Sequence, residues 1–261
     1  MIRATGTVLD RILAETRERV ARRRRERPVS ELAPAVGAGG GRFREALAAP
    51  GIGVIAEFKR RSPSAGSLHD APDLVSIVAA YERGGAVAAS ILTEEPNFGG
   101  SLEDLLTARG ASALPLLRKD FVVDVYQLHE AIAAGADAVL LIVAALEDGA
   151  LGELHAAAGE LGLDVLVEVH DAAELERAST LGAGIVGVNN RDLRDFSVDV
   201  ARTGQLLAGI PAGTIVVSES GISSPEQLAA LEGRGVHAVL VGETLMRAAD
   251  PAAALNDLRS F

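Results

Sequence analysis

The chain has 261 residues, 48% apolar and only 3% aromatic, with a net charge of −11. That length suits one α/β barrel or two ordinary domains, with a core of Ala, Val, Leu and Ile. The absence of Cys excludes disulfides, thiolate metal sites and a Cys nucleophile, and five scattered His without HExxH-type spacing argue against a catalytic metal. No apolar run reaches the roughly 18 residues of a membrane span, and the N-terminus lacks the apolar core of a signal peptide, so a soluble cytoplasmic protein is expected.

Residues 5–26 read as one amphipathic helix stopped by Pro28, with Leu9, Ile12, Leu13, Thr16 and Val20 as its apolar stripe. Residues 1–30 carry nine Arg against four acids, a local balance of +5 that leaves −16 for the rest. The run Arg22–Arg25 is placed on the solvated side and end of the helix. Nucleic-acid binding is not expected, because the acidic remainder would repel a phosphate backbone. The stripe must bury somewhere, and the ends of a barrel offer a surface beside or over a substrate mouth. A Gly-rich link, Gly37–Gly41, and a short helical piece near Phe43–Ala48 follow.

A rhythm then begins. Apolar strand-like runs fall at 53–58, 87–92, 114–118, 137–142, 164–169, 185–189, 214–218 and 237–241. Helical patterns lie between them. Asp124 with Gln127, Asp171 with Glu174, and Ser224 with Gln227 have the residue types of capping boxes. Asp250-Pro251 is a cap followed by Pro at the first helical position. Gly85, Gly135, Gly182 and Gly235 suit positions just past helix C-termini. Eight strand–helix alternations predict an α/β fold of the (β/α)8 TIM-barrel type, one domain over 1–261 with residues 1–48 as an N-terminal helical extension. A doubly wound sheet would predict a GxGxxG or GxxxxGK[ST] turn after the first strand, and neither occurs.

The stretch Gly51–Gly66, GIGVIAEFKRRSPSAG, starts apolar and turns charged at Glu57 and Lys59. Two residues apart on a strand, these side chains share a face. The turn after them holds Ser62, Pro63, Ser64 and Gly66. Of the 25 basic residues only Lys59 and Lys119 are lysines, and both follow apolar runs, VIAEFK and LPLLRK. Chance survival of two surface lysines is one explanation. A site that needs a compact, titratable ammonium is the other, since Arg stays protonated while an amine can be tuned, for instance downward by desolvation or neighbouring cations.

Active sites of such barrels lie at the C-terminal ends of the strands. There the runs end in Glu57-Phe58-Lys59, Thr93-Glu94, Arg118-Lys119-Asp120, Glu168-Val169-His170, Asn189-Asn190-Arg191, Glu219-Ser220-Gly221 and Gly242-Glu243, with only the fourth ending apolar. Ordinary loop starts would give varied turn residues rather than acids and bases at the last in-strand position. The last two runs add glycines, Gly221 and Gly242, where a backbone N–H can approach an anion, and residues 243–247 can form a short helix facing the same spot. This is the usual place of a barrel phosphate site, with Ser62 as a plausible third side.

The motifs AEFKRRSPSAG, LLRKDF, VEVHD, VGVNNRDL, VSESGI and VGETLM, in this order and spacing, resemble indole-3-glycerol phosphate synthase, a carbon–carbon lyase and decarboxylase of tryptophan biosynthesis. The likeness runs from about residue 50 to 250. It implies a small phosphosugar substrate, 1-(2-carboxyphenylamino)-1-deoxyribulose 5-phosphate, converted to indole-3-glycerol phosphate with loss of CO2 and water. It implies no metal and no organic cofactor. By motif, Lys119 is the general acid for ring closure, with Glu168 near for proton transfer. Lys59, paired with Glu57, holds the anthranilate carboxylate and serves dehydration. Asn189 and Arg191 orient hydroxyls and carboxylate, Glu219 sits centrally and Ser220 hydrogen-bonds substrate. Ser62, Gly221, Gly242 and Glu243 hold the phosphate. Phe58, Phe121, Leu140 and Ile142 are candidates for the apolar wall, with core packing the equal alternative for the last two. A monomer with neither nucleic-acid nor membrane partner is the expectation. The rivals are another phosphosugar barrel, such as phosphoribosylanthranilate isomerase, and a non-catalytic barrel that signals on binding a sugar phosphate.

Overall fold

A computed structural model of the chain describes residues 8–35, 38–63, 65–69, 72–192 and 197–261. Gly37 of the expected link, Ser64 of the first turn and the first three residues of the expected 5–26 helix lie outside them. Eight parallel strands close into a barrel: β1 Gly53–Phe58, β2 Ala88–Leu92, β3 Leu116–Lys119, β4 Ala138–Ile142, β5 Asp164–Val169, β6 Ile185–Asn189, β7 Ile215–Glu219 and β8 Ala238–Val241. Each strand pairs with its sequence neighbours, and β1 closes on β8. The predicted (β/α)8 architecture is the one observed.

Boundaries differ most in the third and seventh runs. These extend one residue further than the apolar pattern, so Lys119 and Glu219 are the last residues of their strands. The register then sets the mouth: Leu92 pairs with Lys119, Ile142 with Glu168, and Asn189 with Glu219. Side chains alternate along a strand. Glu57, Lys119, Glu168, Asn189 and Glu219 therefore point inward, while Phe58 and Arg118 point outward.

The helices are α1 Val8–Glu26, α2 Arg42–Leu47, α3 Leu74–Arg83, α4 Glu95–Phe98, α5 Leu102–Ala111, α6 Val125–Ala133, α7 Asp148–Glu160, α8 Ala172–Leu181, α9 Ala201–Leu206, α10 Pro225–Glu232, α11 Glu243–Met246 and α12 Pro251–Leu258. Full capping boxes start α6 and α10, and Asp250 caps α12 ahead of Pro251. At α8 the expected box is only half formed. Asp171 accepts from Glu174 N, but the Glu174 carboxylate turns to His170 instead of returning to the cap. The four glycines expected past helix ends all have positive φ, from 78° at Gly182 to 90° at Gly135.

The N-terminal arm spans the barrel from rim to floor. Leu9, Ile12, Leu13, Thr16 and Val20 of α1 are buried as the stripe predicts. Arg19 reaches Glu94 at the end of β2, with 3.2 Å between Nη2 and Oε1. Arg23 departs from the expected solvated face. It donates to both oxygens of buried Glu130 on α6, at 2.6 and 2.9 Å. The chain then crosses to the opposite end, where α2 seats Phe43 and Leu47 against the strand starts. Arg44 N donates to Asp164 at the first residue of β5, and Arg42 to Asp137 just before β4.

Arg118 is fully buried and joins these parts. It donates to Thr93 Oγ1, Gln127 O, Asp120 Oδ2 and Glu130 Oε2. Deleting one member of a buried ion network leaves its partners unpaired. Arg118→Met is therefore expected to lower the unfolding free energy by about 3–5 kcal/mol, because Asp120 and one side of Glu130 lose their cation. Urea denaturation measures this. A loss below about 1 kcal/mol, the worth of a surface pair, would show that the network carries no such weight.

Candidate active site

The barrel mouth holds a cavity of about 470 Å³. Every residue singled out from the sequence lines it except Phe58. Phe58 is the correction. It follows Glu57 on β1, so it faces the helices, where the Arg60 guanidinium stacks 5.0 Å from its ring centroid. The apolar wall is completed instead by Phe98, which the sequence reading did not single out. Its ring centroid lies 6.4 Å from that of Phe121. Leu140 and Ile142 line the same cavity.

Five charged contacts organise the interior. Lys59 Nζ donates to Glu57 Oε1 at 2.6 Å. Lys119 Nζ lies 3.2 Å from Glu219 Oε2 and 3.6 Å from Glu168 Oε2. The Glu219 contact is an ion pair off the hydrogen-bonding direction, and neither Glu219 oxygen has a hydrogen-bond partner among the described residues. Behind Glu168, His170 Nε2 lies 3.4 Å from Oε1, and His170 Nδ1 lies 3.0 Å from Glu174 Oε2.

These contacts shift the titrations. Burial pulls Lys119 down, but the carboxylates of Glu219, Glu168 and Glu57 outweigh it and hold the ammonium above the ordinary lysine range. The sequence left open a lysine tuned downward, and closure of the barrel gives the opposite. Burial pushes Glu219 up to about 7, against the pull of Lys119 and with further repulsion from Glu168 and Glu57. Burial also opposes ionisation of Glu57, yet Lys59, Lys119 and Arg191 bring it below the usual carboxylate range.

Room inside the mouth depends on two glycines. A Cβ at Gly187 on β6 would lie 2.2 Å from Glu219 Oε1, and one at Gly242 would lie 2.5 Å from Glu57 Oε1. Gly242 has φ −119°, so space for Glu57 is what its lack of a side chain provides. The first loop folds into a small ribbon, Arg61–Ser62 against Gly66–Ser67, that brings Ser62 to the cavity.

At the far rim, Ser220 and Gly221 both have left-handed backbone, φ 69° and 80°, and Ser220 is the only such non-glycine among the described residues. Ser220 Oγ donates to Asn189 Oδ1 at 2.8 Å, which also accepts from Arg191 N. Next to them α11 begins at Glu243, as the sequence anticipated. The Glu243 carboxylate is held by Arg247 at 3.1 Å, so only its backbone N–H is suited to an anion. Arg247 itself lines the cavity, as do Glu94, Asp120 and Thr244. Nothing in the sequence marks Arg247, one arginine among many beyond a strand end. Among the described residues no three His, Asp or Glu side chains are arranged to hold a metal ion, and no helix is long and apolar enough to cross a membrane.

The arrangement can protonate one atom, deprotonate another and hold two anionic groups. Solved structures with the same fold include a tryptophan synthase α-subunit from Pyrococcus furiosus, with a TM-score of 0.61 and 16% identity over 80% of this chain and 98% of that one. A 3-hexulose-6-phosphate synthase gives 0.60 and 19%, over 80% and 99%. At such identities these show the fold alone. The family model described as indole-3-glycerol phosphate synthase matches residues 9–258. Curated relatives carry the same name: one from Rhizorhabdus wittichii is 49% identical over 96% of this chain and 97% of its own length. Another from Aromatoleum aromaticum is 47% identical over 96% and 98%. A third, indole-3-glycerol phosphate synthase 2 of Streptomyces coelicolor, is 48% identical over 96% and 98%. With a family model spanning almost the whole chain and relatives near half-identical end to end, the chain belongs to the indole-3-glycerol phosphate synthase family.

Proposed function

We propose that the cavity binds 1-(2-carboxyphenylamino)-1-deoxyribulose 5-phosphate and that Lys119 is the acid that starts its conversion to indole-3-glycerol phosphate. One observation carries this assignment. The chain's only two lysines face one cavity, each paired with glutamate, between an aromatic wall and a glycine-lined rim. An isomerase acting on a related phosphosugar needs one acid–base pair and would leave the second lysine idle.

The aryl ring lies against Phe98, Phe121, Leu140 and Ile142. Its carboxylate is held by Lys59, with Arg191 alongside. The phosphate sits at Ser62, Gly221, Gly242 and the N–H of Glu243, with Arg247 as an added cation. Asn189 and Ser220 hydrogen-bond the sugar hydroxyls. In ring closure the carbon bearing the carboxylate attacks the ketone carbon, and Lys119 gives its proton to the ketone oxygen. CO2 then leaves and the ring electrons return. In dehydration Lys59, freed of the carboxylate once CO2 has left, gives a second proton to the new hydroxyl, which departs as water, while a base removes the adjacent proton. Glu168 is that base, and Lys59 with Glu57 supports the departing hydroxyl. Glu219, poised near neutrality by its burial, returns a proton to Lys119. The reaction so drawn needs no metal or organic cofactor. The enzyme works as a cytoplasmic monomer in which residues 1–48 and the barrel act as one unit.

The direct test follows indole fluorescence as purified protein meets the carboxyphenylamino-ribulose phosphate. Absence of turnover would remove the reading. Lys119→Arg keeps the charge but does not release a proton. It is expected to bind substrate nearly normally and to lose on the order of a hundredfold or more in kcat. Near-normal kcat in a folded variant would return Lys119 to a binding role. Lys59→Arg is expected to be better tolerated, because part of its task is to hold a carboxylate.

The arm supplies a second test. Glu94 caps α4, accepting from Asn97 N and Phe98 N, and Arg19 is its cation. Arg19→Ala should loosen Phe98 and raise KM several-fold with a smaller change in kcat. Unaltered kinetics would show that the latch does not reach the substrate.

A further inference from the structure

We propose that His170, backed by Glu174, is a positioning residue that keeps Glu168 ionised and aimed into the cavity. The inference rests on reading Glu168 as the base. His170 follows Glu168 by two residues at the end of β5, so both leave the chain on the same side. Their side chains are nearly buried, 11% and 3% exposed.

Glu174 occupies the third position of α8, where a capping-box glutamate would fold back to the N–H of Asp171. It reaches one residue further instead. Its Oε2 accepts from His170 N at 2.8 Å and lies 3.0 Å from Nδ1. A carboxylate there demands a proton on Nδ1. The other nitrogen, Nε2, faces Glu168 Oε1 at 3.4 Å and has no hydrogen-bond partner among the described residues. With Nδ1 committed as a donor, a neutral ring would turn a lone pair toward a carboxylate oxygen. An imidazolium turns an N–H toward it. The geometry is therefore satisfied when one further proton lies between Nε2 and Oε1.

The surrounding charges agree. Glu174 from α8, Glu168 from β5 and Glu219 from β7 face His170. Burial alone would lower it, but these carboxylates raise it above the usual histidine value. Lys119 lies on the other side of Glu168, 3.6 Å from Oε2. Each oxygen of Glu168 thus has its own cation. When Lys119 has given its proton to the substrate, His170 remains to hold Glu168 as a carboxylate, which is the form a base requires. An opposite charge within a few ångströms favours the ionised form of a carboxyl group. Removing the imidazolium must then narrow the pH range over which the base is competent, from the acidic side.

The test is the pH profile of kcat/KM between about pH 5 and 9 for the intact enzyme and for His170→Gln and Glu174→Gln. Glu174→Gln keeps an acceptor for His170 N and removes only the charge, so it guards against a folding defect. His170→Gln is expected to move the acidic limb upward by about one pH unit, with KM at pH 8 within about twofold of the parent. Glu174→Gln moves the limb in the same direction by less. A merely structural histidine would lower activity evenly across the range. An unmoved acidic limb in both variants, alongside an inactive Glu168→Gln, overturns the role of His170 while leaving Glu168 as base. Full activity of Glu168→Gln overturns both.

Discussion

A buried ammonium facing three carboxylates is the constraint from which the mouth of this barrel follows. Lys119 on β3 stands opposite Glu57 on β1, Glu168 on β5 and Glu219 on β7. No two of these four come from adjacent strands. They meet only because the sheet closes on itself, so the charge balance is a product of the fold and not of any one segment. The three acids exceed the one cation, and the surplus explains the rest. Lys59 neutralises Glu57 at 2.6 Å. Glu219, the most enclosed of the three, takes a pKa near neutrality. Glycine at 187 leaves the Glu219 carboxylate where it stands, since an added methyl would push it aside.

The same strand serves stability on its other face. Arg118 and Lys119 are consecutive, and the alternation of β3 sends one outward and one inward. Outward, Arg118 ties Thr93, Asp120 and Glu130 together, and Arg23 of the arm closes on Glu130. Asp120 also accepts from Phe121 N at 2.8 Å, so the aromatic wall hangs from this network. The arm is thus wired to the loop that follows Lys119. Arg19 does the same for the loop that carries Phe98.

Much of this was legible in the sequence, for reasons that can be named. Strands buried on both faces read as apolar runs, and a polar residue ending such a run marks the mouth of the barrel. That is why Glu57, Lys119, Glu168, Asn189 and Glu219 were found together. Phe58 was misplaced because the run is apolar on both faces, so composition does not say which aromatic points inward. Phe98 sits alone in a loop helix, with no period to announce it. The run Arg22–Arg25 looks uniformly solvated, and only the position of Glu130 in space singles out Arg23. The direction of the Lys119 shift depends on how many carboxylates converge from other strands, which no local pattern encodes. At α8 the residue types of a capping box were present, but a histidine one position upstream diverted the glutamate.

The confinement of lysine to the mouth has a chemical consequence. Lys59 and Lys119 are the chain's only lysines, and their side chains are 17% and 14% exposed inside one cavity. An amine-directed reagent therefore meets no lysine on the outer surface and is drawn to the two that line the cavity. Coupling this protein to a support or a dye through its lysines would place the adduct inside the cavity. By the same token, protection of those two amines by a bound anion would report occupancy of the cavity without following turnover at all.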